Sequence, residues 1–384
     1  MSAEGGIRRG FSVASDPADA AREFHAAVAQ SDGGGLVVFF CSSVFDLDRL
    51  AQALVGLFGG THVIGCTTAG EIGPHGYLDG AITGFSLPSG GLRTASALIP
   101  GLSRFQMSQG HEAAEAVLHA FARSAGGEID PASTFAMLLS DGVSVNEEPL
   151  VASLSARIGN IRLLGGSAGD NLNLNQTFVF HEGRFHADAA LLTLVQTPYP
   201  FRIYRLHHFS GSDTKMVVTA ADPVTRVVTE INAEPAAAEY ARIAGLDVEQ
   251  LTLLAFAEHP VMVRVGGDWY VRSIGRMNPD GSLTFFCAID EGVVLTLARR
   301  EDIAANLASF FETVHAEMGT PQLVVGFDCV LRRLEAESRQ LKRALSRIMS
   351  ANNVIGFCTY GEQYGAMHVN QTFTALAFGQ KAEA

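Results

Sequence analysis

Three short loops hold the chain's most evident capacity for hydrogen bonding and acid–base chemistry. They are Thr67-Thr68-Ala69-Gly70-Glu71, Ser167-Ala168-Gly169-Asp170-Asn171 and Thr359-Tyr360-Gly361-Glu362. Each joins small hydroxyls to a glycine and an acid, so each can present N–H groups, a hydroxyl and a carboxylate to a small polar ligand. The same residues also have a plainer role, in which the glycines permit positive φ and the acids hold a turn. Arg332 and Arg333 open a predicted helix; they can grip an acidic ligand, or pair on the surface with Glu335 and Glu337. Cys41, Cys66, Cys329 and Cys358 fall near the ends of equivalent strands, where four converging thiolates can bind zinc or a cluster. Against that, no pair has C-x-x-C spacing, and buried cysteines are common in strands. Ser140-Asp141-Gly142 can hold a carbonyl or an amine, but no nucleophile, base and orienting group fall into a coherent set. A binding module is therefore favoured over an enzyme.

The elements that must position these loops emerge when the chain is compared with itself. LVVFFCSS (Leu36–Ser43), a helical pattern and VIGCTTAGE (Val63–Glu71) return as LVVGFDCV (Leu323–Val330), a helical pattern and VIGFCTYGE (Val354–Glu362). FAMLLSDG (Phe135–Gly142) and LLGGSAGDN (Leu163–Asn171) repeat the layout a third time, and Asn-Gln-Thr-Phe follows at Asn175–Phe178 and again at Asn370–Phe373. The first strand of each unit is a continuous apolar run, as expected where both faces are covered. The intervening helix implies a parallel crossover. QTFVFHEGRFHADAALLTLV alternates apolar and polar residues and predicts a hairpin closing at His181–Gly183. Between the second and third units lies a region of strands with turns at Gly266-Gly267 and Asn278–Gly281, and a helix for which Asn232 is the expected cap. The predicted class is α/β: repeated strand-helix-strand units with antiparallel hairpins, in a two-domain layered arrangement. The expected division is a flexible N-terminus over 1–30, one domain over 31–199 and a second over 200–384.

Composition narrows the function. The net charge of −13 opposes binding to nucleic acid. No apolar run reaches the roughly 18 residues of a membrane span, and the N-terminus lacks the apolar core of a secretory signal. Five cysteines suit a reducing cytoplasm. There is no GxxxxGK[ST], HExxH or GxSxG motif, and no GxGxxG after a strand. The 24 phenylalanines imply bulky core filling or an apolar slot.

The runs VIGCTTAGEIGPHGYLDG, LLGGSAGDNLNLNQTFVFHEGRF and GFCTYGEQYGAMHVNQTFTALAFG resemble the FIST sensory domain, the first two its N-terminal part and the last its C-terminal part. The resemblance covers about Leu36 to Gly379. It implies a cytoplasmic small-ligand sensor in bacterial signal transduction, standing alone rather than fused to a kinase or cyclase output domain. DCVLRRLE and MHVNQTF further resemble a subgroup that binds haem, senses nitric oxide and acts through a partner histidine kinase tied to cyclic-di-GMP control.

That resemblance implies haem b, with an axial ligand, an apolar slot and partners for the propionates. His75, His186 and His368 are the candidate ligands, and Arg332 and Arg333 the candidate propionate partners. The absence of C-x-x-C-H excludes covalent attachment. The alternative is an amino-acid-like ligand bound without haem, and a second is an enzyme or thiolate metal site. Under either sensing reading, the ligand-binding residues are Thr67, Thr68, Gly70, Glu71, Ser167, Gly169, Asp170, Asn171, Thr359, Gly361 and Glu362.

Overall fold

Every second residue of the run Leu36–Cys41 faces a different layer, which is why the whole run is apolar. The computed structural model describes residues 6–31, 35–125 and 129–381. In it, Leu36, Val38 and Phe40 enter a central core, while Val37, Phe39 and Cys41 pack against helices. The other two units do the same. Phe135, Met137 and Leu139 join the central core, as do Leu323, Val325 and Phe327. Much of the phenylalanine is core filling at this centre: Phe40 lies 4.7 Å from Phe357 between ring centroids, and Phe135 lies 6.0 Å from Phe378.

Three six-stranded sheets surround that core, one for each sequence repeat. The first is built on Gly35–Ser42 and His62–Thr68, the second on Thr134–Ser140 and Arg162–Ser167, and the third on Leu323–Cys329 and Val354–Thr359. Each of these pairs is parallel, as the crossover helices require. The helices cover the outer faces: Leu47–Phe58 is capped by Asp46, and Ile303–Met318 by Asp302.

Each sheet is completed by a hairpin from another unit. Glu71–Gly73 and Gly76–Leu78, from the first unit, extend the third sheet. Phe178–His181 and Arg184–Ala187, from the second, extend the first. Glu362–Tyr364 and Met367–Val369, from the third, extend the second. The exchange closes in a ring.

A fourth sheet of eight strands occupies Phe209–Arg300. It is inserted between Phe201–Leu206, which pairs with Phe373–Phe378 in the third sheet, and the helix Ile303–Met318. Its turns fall at Gly266-Gly267 and Asn278–Gly281, as expected. Asn232 is not a helix cap. Its φ is 53°, its side chain receives the Val217 N–H at 2.8 Å, and Pro235 precedes the helix Ala236–Ala244.

The expected flexible N-terminus is corrected from Arg8 onward. Arg8–Ser12 is an edge strand of the first sheet, and Pro17–Val28 is a helix capped by Asp16 that buries Ala20, Phe24 and Val28. Residues 1–5 lie outside the described residues. Among the described residues, no helix is long and apolar enough to cross a membrane.

Candidate functional site

The three loops predicted from sequence converge, and their backbones bond to one another. Gly169 N donates to Thr67 O at 3.1 Å, Ala69 N to Cys358 O at 3.0 Å, and Ser167 N to Gly361 O at 2.8 Å. Cys358 N returns a bond to Gly70 O at 2.7 Å, and Tyr360 N one to Ser167 O at 3.1 Å. Much of the backbone N–H capacity expected to face a ligand is therefore already engaged within this ring.

Two of the acids are also turned inward. Glu71 accepts from the Thr68 hydroxyl and, at 3.0 Å, from Ala81 N. Glu362 accepts from the Thr359 hydroxyl, and from Thr372 N and Oγ1 at 3.1 and 2.6 Å. Burial pushes Glu71 up to about 7 and Glu362 up to about 8. Asp170 is not their counterpart. Thr67, Ser167 and Cys358 occupy equivalent rungs, opposite Cys41, Ser140 and Asp328. Four residues further on stand Glu71, Asn171 and Glu362. Asp170 instead fills the place of Gly70 and Gly361, and its carboxylate gathers Leu174 N, Asn175 N, Gln176 N and the Tyr360 hydroxyl. Gly70 and Gly361 are both at positive φ, 124° and 151°; a side chain would strike the Arg333 guanidinium at the first and the His368 ring at the second.

The three candidate histidines sit on three separate hairpins and do not meet. His75 is exposed, with Phe11 edge-on at 5.4 Å. His186 is half-buried, with Nε2 3.2 Å from His181 O. His368 is 2% exposed. Arg332 and Arg333 are committed internally. Arg332 donates to Asp328 at 2.7 Å and to His208 Nδ1 at 2.8 Å, and His208 Nε2 lies 2.7 Å from Glu335. Burial holds His208 down at about 4, so its neutral ring accepts from Arg332 and donates to Glu335. Arg333 ties Asp79 at 2.5 Å to Glu337 at 3.0 Å. The cysteines do not converge either. Cys66 lies in the central core, Cys41 under the first unit's helices, and Cys329 and Cys358 under the third's. Among the described residues, no group of three or more histidine, cysteine, aspartate or glutamate side chains can hold a metal ion.

The threefold repeat allows one position to be compared in three chemical forms. The hairpin residues Phe180, Gln363 and Ile72 pair with Gly65, Gly165 and Gly356, and across each hairpin stand Phe185, His368 and Tyr77. In the first sheet this site is closed by Phe39, Phe180 and Phe185, with centroids 5.0 to 6.1 Å apart. In the third it is filled by Tyr77, which donates to Asp328, and by the Arg332 network.

The second sheet's version is polar and incompletely bonded. Ser140 and Ser167 hydroxyls are 3.2 Å apart, and Gln363 Nε2 donates to Ser167 at 3.0 Å. Gln363 Oε1 and both His368 ring nitrogens are buried without a partner, as are Asn370 Oδ1 and Gln371 Nε2 nearby in the chain. Sequence reasoning found His368 but missed Gln363, Asn370 and Gln371, although the last two belong to the repeated Asn-Gln-Thr-Phe.

This chamber is walled by the inserted region. Arg226 donates to Glu147 at 2.6 Å, to Glu148 and to Phe286 O at 2.8 Å, and Ala288 N donates to Glu148 at 2.9 Å. Burial holds His368 below its ordinary value, with Glu148, Glu147, Arg226 and Arg272 as its charged surroundings. Beside it runs a cleft lined by Leu172, Leu253, Phe286, Leu331, Tyr360 and Asn370, with a volume of about 10 Å³. That is room for a single water. As placed, His368 and the two arginines do not fit a haem: the adjoining cleft is too small, and both arginines are held in ion pairs, Arg332 fully buried with its one unpaired nitrogen.

The family model for the FIST N domain matches residues 35–234, and that for the FIST C domain matches residues 236–365. Among solved structures, a cyanuric acid hydrolase from A. caulinodans aligns over 98% of this chain and 99% of that one, at 8% identity and a TM-score of 0.41. No curated protein matches the chain. With the two FIST domains in tandem across most of its length, the chain belongs to the FIST family.

Proposed function

We propose that the chain is a cytoplasmic small-ligand sensor in signal transduction, and that its ligand seats in the second sheet's chamber at His368. FIST domains have a small-ligand sensing role in signalling. One observation carries the placement. Of three equivalent positions, one is closed by phenylalanines and one by a charge network in which Arg332 Nη2 alone lacks a partner, whereas Gln363 and His368 leave three buried polar atoms unpaired. An unpaired buried polar group costs about 1–3 kcal/mol, so a molecule bringing a donor and an acceptor gains by filling the site. The charges around His368, two glutamates and two arginines, balance. They suit a neutral or zwitterionic polar molecule, such as an amino-acid-like one, for which the adjoining cleft, about 10 Å³ as placed, must open.

Binding, rather than catalysis, is the favoured role. Ser140 and Ser167 bond each other, Ser167 also accepts from Gln363, and no imidazole or carboxylate among the described residues is bonded to either hydroxyl. The signal leaves through the Arg226 contact, because a ligand at His368 bears on the wall that holds the inserted region. A histidine kinase is the proposed receiver.

The test is calorimetric titration of the full chain with a panel of neutral, zwitterionic and charged metabolites. A neutral or zwitterionic ligand is expected, with affinity lost in His368→Ala and Asn370→Ala. Unchanged affinity in both variants would place the ligand elsewhere. Haem reconstitution runs beside it: a Soret band in the wild type, lost in His368→Ala, would favour the nitric-oxide reading.

A further inference from the structure

A second cavity opens at the seam of the first and second units, at the opposite end of strand His62–Thr68 from the ring of loops. Its volume is about 500 Å³, within the range of small-molecule sites. Leu54 and Phe58 from helix Leu47–Phe58, Phe180 from the exchanged hairpin and Ala120 from helix Met107–Ala125 make its walls apolar. Gly183, at φ 79°, brings the hairpin turn against Val55; a Cβ there would stand 2.8 Å from Val55 Cγ2.

Two imidazoles line the cavity, and they differ. His62 is satisfied, with Nδ1 2.7 Å from the Thr94 hydroxyl and Nε2 3.0 Å from Ser96. His181 Nδ1 is buried without a partner, while its Nε2 lies 3.9 Å from the Glu182 carboxylate. Burial lowers both rings, His62 to about 4, so both are neutral near pH 7. No hydrogen bond fixes the proton of the neutral His181 ring; Nδ1 lies under the cavity wall, and a turn of the ring towards the cavity presents it as an acceptor. Glu182 is the one charged side chain among the lining residues, and it repels anions.

We infer that this cavity is a second ligand site, separate from the His368 chamber, for an uncharged, mainly apolar molecule carrying one hydroxyl or N–H that donates to His181 Nδ1.

The probe is 4-propylphenol, titrated into the full chain by calorimetry, with ¹³C-methyl shifts of Val55 recorded in parallel. Saturable binding with a shift at Val55 is expected. Propylbenzene, which has no donor, should bind about tenfold more weakly, as should 4-propylphenol to His181→Leu; tenfold is the scale of one hydrogen bond. The anion 4-propylbenzoate should bind at least tenfold more weakly than the phenol. Val55→Trp should block the cavity, and Ala120→Leu, on the opposite wall, serves if the first variant does not fold. The inference is overturned if wild type shows no saturable binding, if the benzoate binds as well as the phenol, or if His181→Leu or the blocking variant binds like wild type.

Discussion

Arg226 of the inserted region lies 2.6 Å from Glu147 at the start of helix Glu147–Ile158, with both side chains 4% exposed. The same guanidinium reaches Glu148 and the carbonyl of Phe286. Removing it leaves the buried Glu147 carboxylate unpaired beside the half-buried Glu148. Arg226→Ala is therefore expected to cost about 3–5 kcal/mol in denaturant unfolding and to speed amide exchange at Ala288, whose N–H is held by Glu148. A loss under about 1 kcal/mol would mean that the contact does not hold the inserted region.

The two buried glutamates of the loop ring make stability depend on pH. Glu71 at about 7 and Glu362 at about 8 are raised from 4.5, so the folded chain keeps their protons where the unfolded chain has released them. Stability from these groups is full below about 4.5 and falls as pH rises through 7 to 8. His62 and His208, lowered from 6.5 to about 4, act in the opposite direction at lower pH. The comparison is thus best made between pH 6.5 and 8.5. Wild type should lose stability across that interval and Glu362→Gln should lose less, as read from denaturation midpoints. Identical slopes would show that Glu362 does not titrate there.

His368→Phe places in the second sheet the residue type that Phe185 supplies to the first. It removes two unpaired ring nitrogens and adds apolar filling. Thermal unfolding should move upward or stay unchanged, by up to about 1–2 kcal/mol, while the ligand bound at the chamber is lost. A variant that is clearly destabilised would show that the ring's polarity serves the fold.

Gly361 and Gly80 separate two reasons for needing glycine. Both have positive φ, 151° and 67°, but a side chain at Gly80 meets open space, whereas one at Gly361 meets the His368 ring. Gly80→Ala should cost about 1–2 kcal/mol for the backbone alone. Gly361→Ala should cost measurably more, and equal losses would argue against close packing of His368 on the loop.

The repeats, the parallel crossovers and the hairpin turn at Glu182-Gly183 were legible in the sequence, because each rests on local periodicity or turn chemistry. The destination of each hairpin was not. Alternation in Phe178–Ala187 shows that two strands pair with each other, but it does not show that Phe180 lies beside Gly65 rather than in its own unit's sheet. The one-residue offset of Asp170 was hidden for a similar reason: Gly-Asp reads like Gly-Glu until Ser167 is set in register with Thr67. Gln363, Asn370 and Gln371 escaped notice because amides are ordinary loop residues. Their lack of partners is a tertiary property, as is the burial of Arg332, which reads in sequence as half of a surface charge pair.

The cyclic exchange of hairpins means that no cut in the chain yields a self-sufficient piece. A fragment ending near residue 199 would keep the strands Thr134–Ser140 and Arg162–Ser167 but lack the Glu362–Val369 hairpin that completes their sheet. It would also carry the Glu71–Leu78 hairpin with no third sheet to receive it. The two halves would each display an open strand edge and a stray hairpin, and each would hold what the other lacks. They are built for reassembly with one another, and a duplicated unit in this architecture is viable only as a member of the closed set of three.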